Sequence, residues 1–270
     1  MRGAAPAAGL VAFLAGGILT TIQPQLAAVP LALFVLACAA APFLPTLGFF
    51  LPITSRGKIR DPGNPRVALT FDDGPDPAVT PALLRTLAAH QVKATFFVIG
   101  KKAAAHPDLT AAILAGGHAI GNHTHGHDPL IMFKSPAALA REIDDAQAAL
   151  GWLGVRPLAF RPVAGVTNPR LGPILDRSGL FAVNFNCRAA DFGNRRIRHL
   201  SRRIRRRLRP GAIVLLHDVA PPDPADIPLL LTEIHRTLGA IRAAGYAVVP
   251  LADLIGRPVM APGPVSPRSA

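Results

Sequence analysis

Val67-Ala68-Leu69-Thr70-Phe71-Asp72-Asp73-Gly74-Pro75 is a short apolar run that ends abruptly in two carboxylates and a turn. A run of Val, Leu and Phe bounded by Gly and Pro predicts a buried strand over Val67–Phe71. Asp72 and Asp73 then sit at its carboxyl end. Neighbouring carboxylates are costly unless a cation or a proton separates their roles. Taken alone, the pair also reads as plain turn chemistry, because Asp, Gly and Pro all favour turns.

Outward from this stretch, further β-type runs follow at Thr95–Ile99, His118–Gly121, Leu158–Arg161, Phe181–Phe185, Ala212–Leu216 and Ala247–Pro250. Helical patterns fill most gaps, as at Thr80–His90 and Ser135–Leu153, the latter with Ser135 placed as an N-cap. Such alternation over roughly 200 residues predicts an α/β fold with a parallel sheet, open or closed into a barrel. Polar residues recur where the strands end: Asp72 and Asp73, His123, Arg161, Asp191 and His217. In α/β barrels the carboxyl ends of the strands form one face, and catalytic groups gather there. Residues far apart in sequence are therefore expected to converge.

The segment Gly121-Asn122-His123-Thr124-His125-Gly126-His127 adds a second constellation. Nothing structural requires three histidines so close together, and neutral imidazole is the commonest metal ligand. The spacing of His123 and His127 aims both at one point if the segment forms a helical turn. His125 is the alternative ligand, although its spacing fits a single face poorly. Two imidazoles and a carboxylate with open positions suit a catalytic Zn²⁺, and Co²⁺, Ni²⁺ or Mn²⁺ are also accepted by such a set. Cys38 and Cys187 form no Cys-x-x-Cys motif, so any metal must be held by His, Asp or Glu.

Thr70-Phe71-Asp72-Asp73-Gly74, followed by His123-Thr124-x-x-His127, resembles the polysaccharide deacetylase family, the NodB-homology carbohydrate esterases of family 4 type. The similarity runs from about Arg66 to Ile255. It implies a distorted (β/α) barrel, one divalent metal and hydrolysis of N-acetyl or related acyl groups on sugars. By the same resemblance Asp73, His123 and His127 are the metal ligands, and Asp72 is the general base for the attacking water. Leu215-Leu216-His217-Asp218 resembles the late motif whose histidine is the general acid. Phe160-Arg161-Pro162-Val163-Ala164-Gly165 resembles the arginine motif, in which the arginine keeps the catalytic aspartate ionised and oriented.

Two departures stand out. Ala164 occupies the place of the family's usual tyrosine, keeping a backbone N–H for an oxyanion but losing the ring. Arg188-Ala189-Ala190-Asp191-Phe192 replaces an Asp-x-x-Asp-Trp segment, leaving Asp191 to orient and polarise His217. With one Trp and one Tyr in the chain, aromatic platforms for a long polysaccharide are scarce.

Half of the 270 residues are apolar, which excludes a disordered chain. From Gly3 to Ser55 there is no charged side chain. A bilayer span needs about 20 apolar residues, and Thr20–Gln25 divides the stretch into Ala4–Leu19 and Leu26–Leu44. This predicts a two-helix anchor in a bacterial inner or cell membrane. The alternative is a secretory signal peptide with Arg2 as its basic region and cleavage near Ala27-Ala28. Arg2 before the hairpin, with Arg56, Lys58 and Arg60 after it, would place both flanks in the cytoplasm; one arginine at the amino terminus is too little to settle the side.

Net charge is +13, concentrated between Arg195 and Arg209. Ile197, Leu200, Ile204 and Leu208 recur at helical spacing within that run, so a basic amphipathic helix is expected there. Anionic lipid headgroups or a lipid-linked phosphate are its expected targets, with a solvated helix face as the bland alternative. A nucleic-acid partner is not expected, because no recognised binding module accompanies the charge.

The expected organisation is an anchor over 1–51, a linker over 52–65, a catalytic domain over 66–258 and a Pro-rich tail over 259–270. The expected activity is metal-dependent removal of an N-acyl group from an amino sugar in a glycan or lipid-linked saccharide. The competing expectation is a non-catalytic, membrane-tethered carbohydrate- or phospholipid-binding protein on the same fold.

Overall fold

Val67, Ala68, Leu69 and Phe71 are essentially solvent-free, as a run apolar on both faces requires, and they form the centre of a parallel sheet. The computed structural model describes residues 3–59, 61 and 63–263. Arg2, Arg60 and the end of the Pro-rich tail lie outside the described residues. In chain order the strands are β1 (Ile53–Thr54), β2 (Arg66–Asp72), β3 (Thr95–Val98), β4 (Ala119–Asn122), β5 (Val155–Pro157) and β6 (Ala159–Phe160). They continue with β7 (Phe181–Val183), β8 (Cys187–Arg188), β9 (Ile213–His217), β10 (Ala247–Val248) and β11 (Met260–Pro262).

The main sheet runs β1-β7-β6-β4-β3-β2-β9-β8, with β10 joined to the start of β2, and every pairing in it is parallel. β1 and β8 end the order without pairing to each other, so the expected distorted barrel is a curled sheet that stays open at that seam. β5 and β11 form a separate antiparallel pair. Helices Thr80–Ala89 and Ile227–Ala243 cover one face of the sheet, burying Leu83, Leu87, Leu230, Ile234 and Leu238 against Phe71, Phe96 and Val214. Ser135 caps helix Pro136–Trp152 as expected, its hydroxyl accepting the Ala138 N–H at 3.2 Å.

All expected strands are present within a few residues of the expected bounds. The linker expected over 52–65 is only partly a linker, because Ile53 and Thr54 pair with Ala182 and Val183 at the edge of the sheet. Likewise Met260–Pro262, assigned from sequence to the tail, pairs with β5. The basic helix is shorter than the expected 195–209: it spans Leu200–Arg207, because His199 adopts a left-handed conformation (φ 60°) that interrupts any helix entering from Arg195. The apolar positions of the run are nevertheless buried, Leu200 and Ile204 within the helix and Ile197 and Leu208 on either side of it.

Ala5–Ile22 and Pro24–Phe43 are helical segments of 18 and 20 residues with mean hydropathies of 1.8 and 2.3, long and apolar enough to cross a membrane. Leu10, Phe13, Ile18, Leu33 and Leu36 point away from the protein and are more than half exposed, the reverse of a soluble core helix. The second segment ends against the soluble part. The Thr167 N–H donates to the Pro42 carbonyl at 3.1 Å, and Asn184 Nδ2 donates to the Pro45 carbonyl at 2.9 Å.

Gly121 in β4 is a packing constraint beneath the site. A Cβ there would collide with the Phe97 ring, on which the Arg161 guanidinium stacks at 4.0 Å. Gly121→Ala is therefore expected to destabilise the fold by about 1–3 kcal/mol, the usual cost of overpacking. The shift in urea midpoint would report it, and an unchanged midpoint would show that Phe97 yields freely.

Candidate active site at the carboxyl ends of the strands

Asp72 closes β2 and is 4% exposed; Asp73 follows in left-handed backbone (φ 71°), which turns its carboxylate away from that of Asp72. The next bond, Gly74-Pro75, is a cis peptide. A side chain at Gly74 would strike the Asp218 carboxylate, so glycine is required there. Residues expected from sequence to be metal ligands converge. Asp73 Oδ1 lies 3.0 Å from His127 Nε2 and 3.4 Å from His123 Nε2. The three side chains offer ligand atoms all within 4.8 Å of one another.

The convergence is achieved differently from the expected helical turn. Residues 123–127 form a loop in which Thr124 (φ 65°) and His127 (φ 54°) are left-handed, and Thr124 Oγ1 accepts the His127 N–H at 3.1 Å. The loop folds back on itself and brings His127 beside His123. His125, the alternative ligand, points elsewhere: its Nδ1 is buried with no partner among the described residues, and it takes no part in the cluster. Glu142 holds this loop from helix Pro136–Trp152, its Oε2 accepting the N–H groups of His125 (3.0 Å) and Gly126 (2.6 Å). Sequence reasoning gave Glu142 no such role, since nothing local links it to a loop 16 residues earlier.

The donor set fits a divalent ion. His123 Nδ1 lies 2.8 Å from the Arg161 carbonyl, an oxygen that can only accept, so Nδ1 carries a proton and the neutral ring turns the Nε2 lone pair towards Asp73. A tetrahedral ion with bonds of about 2.0–2.1 Å sets its ligand atoms about 3.3 Å apart, and the Asp73–imidazole separations of 3.0 and 3.4 Å lie either side of that spacing. Burial alone would raise the Asp73 pKa, but hydrogen bonds from His123 and His127 and the charge of His123 and His217 overcome it and hold the carboxyl well below its usual range. Burial likewise works against a charged His123, yet Asp72 and Asp73 beside it raise its pKa. Both shifts describe a site that stabilises positive charge beside these carboxylates.

Around the ligands stand the other expected residues. Arg161, fully buried, donates from one nitrogen to Asp72 Oδ1 at 2.6 Å and to Thr70 Oγ1 at 2.7 Å. Asp72 Oδ2 is left 3.8 Å from His123 Nε2, facing the cluster. Across the cleft His217 closes β9, with its Nδ1 2.7 Å from buried Asp191 Oδ2. Burial would lower the His217 pKa, but the bond to Asp191 and the negative charges of Asp191, Asp73 and Asp72 raise it to about 9. Asp72, Asp73, His123, His127, Asp191 and His217 line one cleft of about 680 Å³, which Ala164, Phe185, Arg188, Phe192 and Arg195 also border, while Arg161 is buried behind Asp72. Sequence inspection did not assign Phe185 or Arg195 to the site, because the loops before and after β8 decide what faces the cleft.

The arginine run takes part in building that loop. Arg203 donates to the carbonyls of Ala189 (2.8 Å), Arg196 and Arg198, and Arg207 donates to the Arg188 carbonyl at 2.7 Å. These arginines brace the segment carrying Asp191, while Arg202, Arg205 and Arg206 remain exposed.

Curled parallel sheet and carboxylate–imidazole cleft together define a hydrolase of the carbohydrate deacetylase class. A family model described as polysaccharide deacetylase matches residues 59–183. The chain is 34% identical over 194 residues to the chitooligosaccharide deacetylase of Azorhizobium caulinodans, covering 68% of this chain and 92% of the relative. It is 31% identical over 193 residues to a peptidoglycan-N-acetylglucosamine deacetylase of Listeria monocytogenes, covering 72% of this chain and 39% of that protein. Among solved structures, a family 4 carbohydrate esterase from Streptomyces lividans matches with a TM-score of 0.62 and 30% identity, covering 73% of this chain and 97% of the esterase. The chain belongs to the polysaccharide deacetylase family and is a hydrolase of carbon–nitrogen bonds other than peptide bonds.

Loss of the Glu142 carboxylate leaves the ligand loop unheld. Glu142→Ala is expected to weaken divalent-metal affinity about 10–100-fold, as for other residues that orient ligands. Competition against a chromophoric chelator measures it, and unchanged affinity would mean the loop holds its shape without Glu142.

Proposed function

We propose that this protein removes an N-acetyl or related N-acyl group from an amino sugar in a glycan or lipid-linked saccharide, aided by a divalent ion, Zn²⁺ first among those the ligands suit. The observation that carries this is the convergence of Asp73, His123 and His127 between a carboxylate, Asp72, and an imidazole, His217. An ion held by those ligands supplies a Lewis acid for the acyl carbonyl and lowers the pKa of a water from 15.7 to about 7.

The other residues supply the rest of the chemistry. Amide hydrolysis consumes one water, breaks the C–N bond and yields a carboxylate and an amine, so one proton must leave the water and another must reach the nitrogen. Asp72 is the base: Arg161 holds Oδ1 and leaves Oδ2 facing the cluster. His217 is the acid: Nδ1 is committed to Asp191, so Nε2 is the nitrogen left to deliver a proton to the departing amine. Ala164, left-handed (φ 55°) and bordering the cleft, forms no backbone hydrogen bond through its N–H among the described residues, which leaves that donor for an oxyanion.

Ala5–Ile22 and Pro24–Phe43 serve as the membrane anchor in this reading, with the catalytic unit over 66–258 and the strand Met260–Pro262 appended to it. The apolar exposure of both helices supports the anchor, and the fixed contacts of Pro42 and Pro45 with the catalytic part support a short, rigid tether.

The test is acetate release from chitooligosaccharides by the full-length, metal-loaded protein, followed against pH. A raised His217 pKa means that the proton-donating form persists through neutrality and is lost as pH rises through about 9. Activity should therefore fall on the alkaline side near that pH. Asp191→Asn removes the ion pair and should move the fall about one unit or more to lower pH. An alkaline limb that does not move would show that His217 is not the acid, and no metal-dependent release at any pH would refute deacylation of such sugars.

A further inference from the structure

Every carboxylate bordering the cleft is already engaged: Asp72 with Arg161, Asp73 with the two histidines, Asp191 with His217. Two cations bordering the same cleft are not. Among the described residues, the guanidinium groups of Arg188 and Arg195 have neither a carboxylate nor a hydrogen-bond partner, and both are exposed. Arg188 lies 5.7 Å from the Phe185 ring, and its own carbonyl is fixed by Arg207. Arg195 follows a run of left-handed residues, Ala190, Phe192, Gly193 and Asn194, braced by Arg203 and by Asn194 Nδ2 on the His217 and Val219 carbonyls. A side chain at Gly193 would come within 3.7 Å of Asp73, so this loop lies over the ligand cluster. Two unpaired guanidiniums that border one cleft beside the Asp73–His123–His127 cluster offer donors for an anion, and the planar fork of arginine suits phosphate oxygens.

The rim of the cleft is apolar. Phe192, which borders the cleft, is 63% exposed, and Leu130 and Phe133, just beyond the bordering Pro129, are 61% and 59% exposed. Phe133 also meets Phe43, the last residue of the second apolar segment, with ring centroids 6.4 Å apart. Thr167, which bonds to Pro42, follows closely on the cleft residues Val163 and Ala164. If that segment spans the bilayer, the mouth of the cleft is held at the membrane surface.

Resting on the deacylase reading above, we propose that the substrate is an N-acyl amino sugar joined through a phosphate to a lipid. Arg188 and Arg195 bind the phosphate, the sugar's acylamino group lies at the ligand cluster, and the lipid chain leaves past Phe192, Leu130 and Phe133 into the bilayer.

The experiment compares kcat/KM for acetate release by full-length, metal-loaded protein in phosphatidylcholine liposomes on three substrates. These are polyprenyl-phosphate-linked N-acetylglucosamine in the same liposomes, soluble N-acetylglucosamine 1-phosphate, and uncharged chitotetraose. The lipid-linked sugar is expected to exceed chitotetraose at least tenfold. The double variant Arg188→Gln/Arg195→Gln should cut that ratio at least tenfold, whereas the pair Arg188→Lys/Arg195→Lys should retain part of it. A preference equally strong for the soluble phosphate would overturn the lipid and leave the sugar phosphate. A preference for chitotetraose, or a ratio indifferent to both arginines, would overturn the inference while leaving the deacylase standing. Release from none of the three by protein that holds its metal would refute the deacylase reading itself.

Discussion

The site depends on one buried side chain. Arg161 leaves the end of β6 with its guanidinium fully buried, stacks on Phe97 at 4.0 Å, and holds Asp72 at 2.6 Å. Through its backbone carbonyl the same residue fixes the His123 ring at 2.8 Å. A single position thus orients both Asp72 and His123. Isolated, the buried guanidinium would be costly, and deleting one partner of such a pair typically costs about 3–5 kcal/mol. Asp72 supplies the countercharge, and Thr70 and the carbonyls of Val183 and Asn184 accept three of its other four N–H groups. Asp72 therefore answers a structural need of Arg161 as well as the chemical one proposed for it.

Left-handed backbone gathers round this pair. Asp73, Thr124, His127, Ala164, Ala190, Phe192 and Asn194 all have positive φ, and nearly all border the cleft or its supporting loops. Non-glycine residues avoid this region, and holding them there costs free energy that the surrounding contacts must offset. Here the offsets are visible: Thr124 on His127, Glu142 on the loop at 125–126, Asn194 and Arg203 on the loop after β8. Loops bent this sharply bring side chains from separate strands to one point, and their bracing keeps the cleft formed before substrate arrives.

Much of this was legible in the sequence because the strands are apolar on both faces and the chemical residues sit at their ends. Asp72, Asp73, His123, His127, Arg161, Asp191 and His217 could all be placed by that rule together with the family resemblance, and the structure brings all but the buried Arg161 to the lining of one cleft. What escaped notice was non-local or left-handed. The path of residues 123–127 is set by Thr124 and Glu142 rather than by helical spacing. The arginine run reads as one amphipathic helix because its apolar period continues through Ile197, yet His199 breaks it and three of its arginines turn to backbone carbonyls. The edge strands Ile53–Thr54 and Met260–Pro262 are too short to show a period and form only because a sheet edge and β5 are there to accept them.

The proposed chemistry divides labour between a carboxylate that moves a proton and a neighbouring set that holds a cation. The most direct measurement is bound metal and turnover on the same samples of two variants, Asp72→Asn and His123→Ala. The account predicts that Asp72→Asn keeps its metal and loses about 10²–10⁴-fold in rate, the usual range for general acid–base catalysis, while His123→Ala loses both metal and rate. Full turnover by Asp72→Asn, or undiminished metal in His123→Ala, would contradict it.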